Sequence, residues 1–259
     1  MTRYAAVLFD MFDTLVRLDR GRLPAARIGG REVRSSVPKL HGIARSVLPG
    51  VGLEVFYDAF LWSYQEADRL RAENHREVSA RERLALFYRR VGVDPAGISS
   101  SVTDDLLAAH MACLANAAEP MPGQAELLDW LGGRFRLGVV SNFDYTPTVQ
   151  RILAEGGILG RFETVVVSET VGWRKPHPDI FERALADMGV RAADCLFVGD
   201  RPDIDVAGAK GVGMAVAWLN PGRDPLPPGL PAPDLDLAAL ADLRPALDPG
   251  SQDRGSQGP

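Results

Sequence analysis

Apolar residues follow two rhythms along this chain. Short unbroken runs occur at "AVLF" (6–9), "FRLGVVSN" (135–142), "FETVVVSE" (162–169), "DCLFVGD" (194–200) and "AVAWL" (215–219). Runs without polar alternation suit strands buried on both faces of a parallel sheet. Between them, residues 121–133, 145–157, 177–190 and 205–214 repeat apolar positions every three or four residues, as helices do. Pro122 sits in a first turn, Asp179 lies near a positive helix end, and Gly189 follows a helix. Alternating strands and helices predict an α/β fold with a covered parallel sheet.

Residues 16–118 have a different rhythm. Four segments, at 39–48, 53–73, 79–93 and 102–117, carry amphipathic helical spacing, and no strong strand signal stands between them. The expected organisation is a sheet core at 1–15 and 119–248, with a helical module at 16–118 inserted after the first strand. Helices packed into one continuous domain are the alternative. The aromatic stretch "VFYDAFLWSY" (55–64) is expected to pack into a core, with pairing to a second copy as the alternative. Within 233–247 a short strand and helix fit, and the Pro/Gly-rich tail at 249–259 is expected to be disordered.

Composition narrows the partners. The chain has 259 residues and a net charge of -5, with no block of like charges. That argues against nucleic acid or a membrane surface. Two cysteines, Cys113 and Cys195, make no disulfide framework. The N-terminal apolar run is too short for a signal peptide, and nothing approaches the ~20 apolar residues of a membrane helix. A cytoplasmic protein is expected. The oligomeric state is not legible.

Polar residues terminate several of the strands. Asp10, the pair Ser141 and Asn142, and Asp200 follow three runs, and Lys175 follows a fourth through a loop. The carboxyl edge of an open parallel sheet is where such folds bind ligands. Alone, each has an ordinary explanation as a cap, a turn or a solvated charge. Lys175 gains weight because the chain has three lysines against 26 arginines. Lysine presents a compact point charge where arginine presents a fork.

The motifs "DMFDTL" (10–15), "VVSN" (139–142), "KPHPDIF" (175–181) and "VGDRPDID" (198–205), in that order, resemble the haloacid dehalogenase-like hydrolase superfamily. The resemblance covers nearly the whole chain and is greatest to the branch with a helical cap inserted after the first motif. It implies a Rossmann-like core and an inserted cap that closes over the site. Asp10 would be a nucleophile forming a covalent aspartyl intermediate. Thr14, Ser141 and backbone amides would hold phosphoryl oxygens, Asn142 would belong to the same catalytic set, and Lys175 would neutralise charge. Mg²⁺ would be bound by Asp10, the Phe12 carbonyl, Asp200 and Asp205, with Asp203 as the alternative to Asp205. The implied substrate is a small phosphate ester or anhydride, selected by the cap and the loop at Gly172, Trp173 and His177.

One position departs from the pattern. Phosphatases of the superfamily usually carry a second aspartate two residues after the nucleophile, to protonate the leaving oxygen. Here that residue is Phe12. Asp13 follows, and on an extended segment its side chain would face away. His41, His75 and Glu77 are proton donors by chemistry alone. An aromatic residue here is similar to the metal-free 2-haloacid dehalogenases. Those generally lack the final acidic pair, and they use a cap arginine where a loose match places Ser63. Three readings stand: an atypical Mg²⁺-dependent phosphatase acting through Asp10, a dehalogenase using Asp10 without metal, and a non-catalytic metal- or phosphate-binding protein.

Overall fold

The computed structural model describes residues 4–248, so the expected tail at 249–259 lies outside the described residues. In chain order the strands are β1 (Ala6–Phe9), β2 (Val16–Leu18), β3 (Ala25–Ile28), β4 (Arg31–Arg34), β5 (Ala118–Pro120), β6 (Arg136–Ser141), β7 (Thr164–Val167), β8 (Cys195–Gly199), β9 (Ala215–Leu219) and β10 (Leu235–Leu237). The helices are α1 (Val37–Ala44), α2 (Leu53–Asn74), α3 (Ala80–Arg90), α4 (Ser100–Asn116), α5 (Gln124–Gly132), α6 (Thr146–Glu155), α7 (Ser168–Val171), α8 (Pro178–Met188), α9 (Ala207–Gly211) and α10 (Leu243–Leu247).

Two compact units emerge. Within the described residues, one comprises 4–17, 120–142 and 153–248; the other comprises 18–119 and 143–152. The first holds a six-stranded sheet in the order β10-β9-β8-β1-β6-β7, with parallel pairing throughout. β1 is central. Its Phe9 pairs in register with Val139 on β6 and Val198 on β8. Strand order reverses on either side of β1, so its carboxyl end is a topological switch point, where open α/β sheets bind ligands. All four residues of β1 are fully buried, which explains the run without polar alternation. Packed on one side are Leu8, Phe197 and Val216 with Ile180, Phe181 and Ala184 of α8.

The second unit is built on α1 to α4. Phe56, Phe60, Leu84, Phe87, Leu106 and Leu107 form its core, with the Phe56 and Phe87 rings 4.5 Å apart. The aromatic stretch at 55–64 therefore packs inward through Phe56 and Phe60, and leaves Val55 and Leu61 exposed. A reciprocal cap starts α3: Ser79 Oγ accepts from the Glu82 amide, and Glu82 Oε2 accepts from the Ser79 amide.

Residues 16–36 differ from the helical reading. β3 and β4 form an antiparallel hairpin joined by Gly29 and Gly30, both with positive φ. A two-residue turn with two positive φ angles matches the right-handed twist of the strands it joins, and glycine reaches that conformation without strain. Among the described residues no helix is long and apolar enough to cross a membrane.

Candidate functional site

The sheet delivers most of the polar residues. Asp10 directly follows β1, and its amide donates to the Val198 carbonyl on β8 at 2.8 Å. Asp200 directly follows β8, its backbone carbonyl held at 2.8 Å by the Trp218 indole N–H. Ser141 is the last residue of β6. Thr14 is buried four positions beyond Asp10.

Lys175 arrives by loop, yet it is held as firmly as a strand residue. Its amide donates to Asn142 Oδ1 at 2.7 Å, and its carbonyl accepts from Asn142 Nδ2 at 3.0 Å. The buried Nζ reaches Asp10 Oδ1 at 2.5 Å and lies 2.8 Å from Asp205 Oδ1. Asn142 thus acts on the lysine backbone with both ends of its amide.

Asp205 sits in a π-helical turn, Pro202–Val206, directly before α9. Its Oδ2 accepts from the Arg201 amide at 3.0 Å. The turn brings the carboxylate against Gly199, where an added Cβ would fall 2.5 Å from Asp205 Cγ. Asp203 is exposed and pairs with the Arg201 guanidinium. The structure therefore groups Asp205, not Asp203, with Asp10 and Asp200. One carboxylate oxygen from each of these three lies within 4.8 Å of the others.

Burial sets the electrostatics. It pushes Asp10 up to about 6, against the opposing pull of Lys175 and with the added repulsion of Asp205. Asp200 is pushed to about 7, by burial first and then by Asp10, Asp205 and Asp13. Burial alone would push the Lys175 ammonium down, but Asp10 and Asp205 together hold it above its ordinary value. Three carboxylates share one buried ammonium, so the site has room for more positive charge.

Two buried hydroxyls call for an acceptor as well. Thr14 Oγ1 and Ser141 Oγ have no hydrogen-bond partner among the described residues. Buried donors without acceptors are uncommon and call for an explanation. A cleft of about 210 Å³ is lined by Asp10, Phe12, Asp13, Asn142, Lys175, Asp200 and Asp205, with Arg174, Arg201 and Ile204. The lining sets four carboxylates against three cations, so an anionic ligand suits it only with added positive charge.

Asp13 corrects the expectation that it faces away. Its φ is +59°, so the segment is not extended there and the alternation of strand side chains does not apply. It is exposed, lines the cleft, and acts on Asp200. The two arginines of the lining carried no sequence signal beyond their neighbours. Trp173 and His177 stack, with ring centroids 4.1 Å apart, after Gly172 turns the loop at φ +84°.

The other proton-donor candidates belong to the helical unit and have local partners or roles there. His41 Nε2 is 2.7 Å from the Val51 carbonyl. His75 caps α2 in the left-handed conformation. Buried Glu77 pairs with Arg71 at 2.9 Å. Ser63 donates to the Phe60 carbonyl, a contact within its own helix.

A family model described as haloacid dehalogenase-like hydrolase matches residues 4–213. The chain is similar to the phosphoglycolate phosphatase of Rhodospirillum rubrum, 30% identical over 256 residues, covering 97% of this chain and 95% of that protein. It is also similar to the pyrimidine 5′-nucleotidase YjjG of Escherichia coli (strain K12), 29% identical over 166 residues, 64% of this chain and 69% of that one. Among solved structures, the 2-haloacid dehalogenase of Pseudomonas syringae pv. Tomato DC3000 shares the fold at a TM-score of 0.65 and 24% identity, covering 95% of this chain and 99% of that one.

Proposed function

The chain belongs to the haloacid dehalogenase-like hydrolase family, and from that membership we propose that it is a Mg²⁺-dependent phosphatase acting on a small phosphorylated metabolite through Asp10. One observation carries this reading: Asp10, Asp200 and Asp205 converge on one place with a single lysine among them. A metal-free site gains nothing from that excess of negative charge, whereas an all-oxygen donor set suits a hard divalent cation. The phosphatase relatives support the substrate class.

Asp10, Asp200, Asp205 and the Phe12 carbonyl would hold the cation. When bound, it supplies positive charge beside the phosphoryl oxygens. The remaining steps belong to the chain itself. Lys175 keeps Asp10 ionised at its 2.5 Å contact. Thr14 Oγ1 and Ser141 Oγ donate to the phosphoryl oxygens, acceptors that the described residues do not supply. An Asp10 carboxylate oxygen attacks phosphorus, and the bond from phosphorus to the leaving oxygen breaks. Water then hydrolyses the aspartyl phosphate, releasing phosphate and restoring the carboxylate. Phe12 offers no proton to the leaving oxygen, so acyl and aryl phosphates, whose leaving groups depart as anions, are the favoured substrates. The helical unit serves as the cap that selects among them.

Phe12 also favours a second reading, a 2-haloacid dehalogenase, because a departing halide needs no proton. One screen separates the two. Acetyl phosphate and p-nitrophenyl phosphate are assayed beside L-2-chloropropionate, each with Mg²⁺ and with a chelator. The phosphatase reading expects phosphate release only with Mg²⁺, and none from Asp10→Asn. Halide release in chelator would replace it with the dehalogenase. Mg²⁺ binding without turnover of any substrate would indicate a non-catalytic protein.

A further inference from the structure

The helical unit contains a second charged cluster, of which only Asp144, two residues past Asn142, adjoins a motif. Arg83 on α3 is 0% exposed, one of the largest fully buried side chains. Its Nε donates to Asp144 Oδ2 at 3.0 Å. Its guanidinium carbon lies 3.8 Å from the centroid of the Tyr64 ring. Tyr64 is itself held: its hydroxyl is 2.5 Å from His110 Nε2, and His110 Nδ1 is 2.7 Å from Ser36 Oγ. The guanidinium is thus fixed along one edge and across one face. Its remaining edge is different. Nη1 and Nη2 are both buried, and neither has a hydrogen-bond partner among the described residues.

This arrangement is costly unless something completes it. Burying charged donors without acceptors carries a penalty larger than that of an ordinary lost hydrogen bond. Asp144 does not relieve it, because its carboxylate serves Nε and also lies 3.6 Å from Arg71 Nη2. Glu77 is engaged by Arg71 as well. The two terminal nitrogens of arginine form a planar fork that matches two oxygens of a carboxylate or phosphate.

We propose that the Nη1–Nη2 edge of Arg83 is a binding site for a small oxyanion, held as a bidentate ligand inside the helical unit. Asp144 and Tyr64 are the positioning residues that aim the fork. The site is independent of the reaction at Asp10: it stands or falls whether that centre is a phosphatase, a dehalogenase or inactive.

Nitrogen-15 spectra of arginine side chains in the full-length protein give the test, with sodium formate or inorganic phosphate added at constant ionic strength and without Mg²⁺. Saturable shifts of the Arg83 Nη signals are expected. A response to formate marks a site open to carboxylates, and a response to phosphate alone marks a phosphate site. Arg83→Lys keeps a charge beside Asp144 but lacks the fork, and should weaken binding at least about tenfold. Absence of a saturable Arg83 shift in the wild type would overturn the proposal. So would unchanged affinity in Arg83→Lys, or a crystal grown in formate that shows only water on the fork. Should Arg83→Lys fail to fold, the wild-type titration decides.

Discussion

Asn142 shows how a residue can govern chemistry without touching the reacting atoms. Both ends of its amide act on the Lys175 backbone, and the lysine ammonium in turn reaches Asp10 and Asp205. Asn142→Ala should lower kcat by up to about 100-fold through a misplaced lysine. Mg²⁺ affinity, read by calorimetry, should change little, because Asn142 is not among the clustered carboxylates. Phe12→Asp restores a carboxylate where the phosphatase pattern has one. It should raise turnover of alkyl phosphates, towards the ~10²–10⁴-fold that general acid catalysis provides, and leave acyl phosphates nearly unchanged. Equal gains on both would show that leaving-group protonation is not what the native site lacks. At this scale the sequence reading was uneven. Asp10, Ser141 and Asp200 were legible because strand ends announce them, and Lys175 because lysine is rare in this chain. Asp13 was misread because a single left-handed residue cancels the alternation of an extended segment. Asp203 and Asp205 stayed undecided because only the geometry of a π turn separates them.

The elements around the site are short, and their joints carry much of the precision. Gly199 ends β8 where the π turn folds Asp205 back upon it, and an added methyl group would fall 2.5 Å from that carboxylate carbon. Gly199→Ala should cost about 1–3 kcal/mol through overpacking, visible as a lower Tm, and should weaken Mg²⁺ binding by displacing Asp205. Unaltered metal affinity would place Asp205 outside the cation's reach. The parallel strands were readable because burial on both faces leaves an unbroken apolar run. The four helices were readable because each keeps an apolar stripe. The β3–β4 hairpin escaped, since its four-residue strands expose most of their side chains and show little alternation. Its one strong signal was the Gly29–Gly30 pair.

Across the whole molecule, acid and base limbs of stability have different origins. Asp10 and Asp200, raised to about 6 and about 7, bind protons more tightly in the native state than in the unfolded chain. Their contribution is present at low pH and is lost as pH rises through 6 to 7. His110 has the opposite sign. Burial, and then Arg83, lower it to about 3, so the native ring stays neutral and stability is lost as pH falls below about 6.5. The metal-free protein should therefore lose Tm towards both ends of the range. His110→Gln should flatten the acid limb only. At the proposed site Mg²⁺ would compete with protons for the same carboxylates, and it should raise Tm far more at pH 8 than at pH 5. An equal rise at both would mean that the cation binds elsewhere.

The division of the chain has a consequence for heredity. The helical unit is written in two passages, 18–119 and 143–152, separated by a helix and a strand of the other unit. A recombination event, or an engineer, that exchanges only the long passage leaves Asp144 behind in the host. The incoming α3 would then meet whatever carboxylate the recipient's own lineage keeps there. Transplanting the helical unit between relatives is therefore a matter of two inheritances, and the short one, ten residues long, decides whether the long one arrives intact.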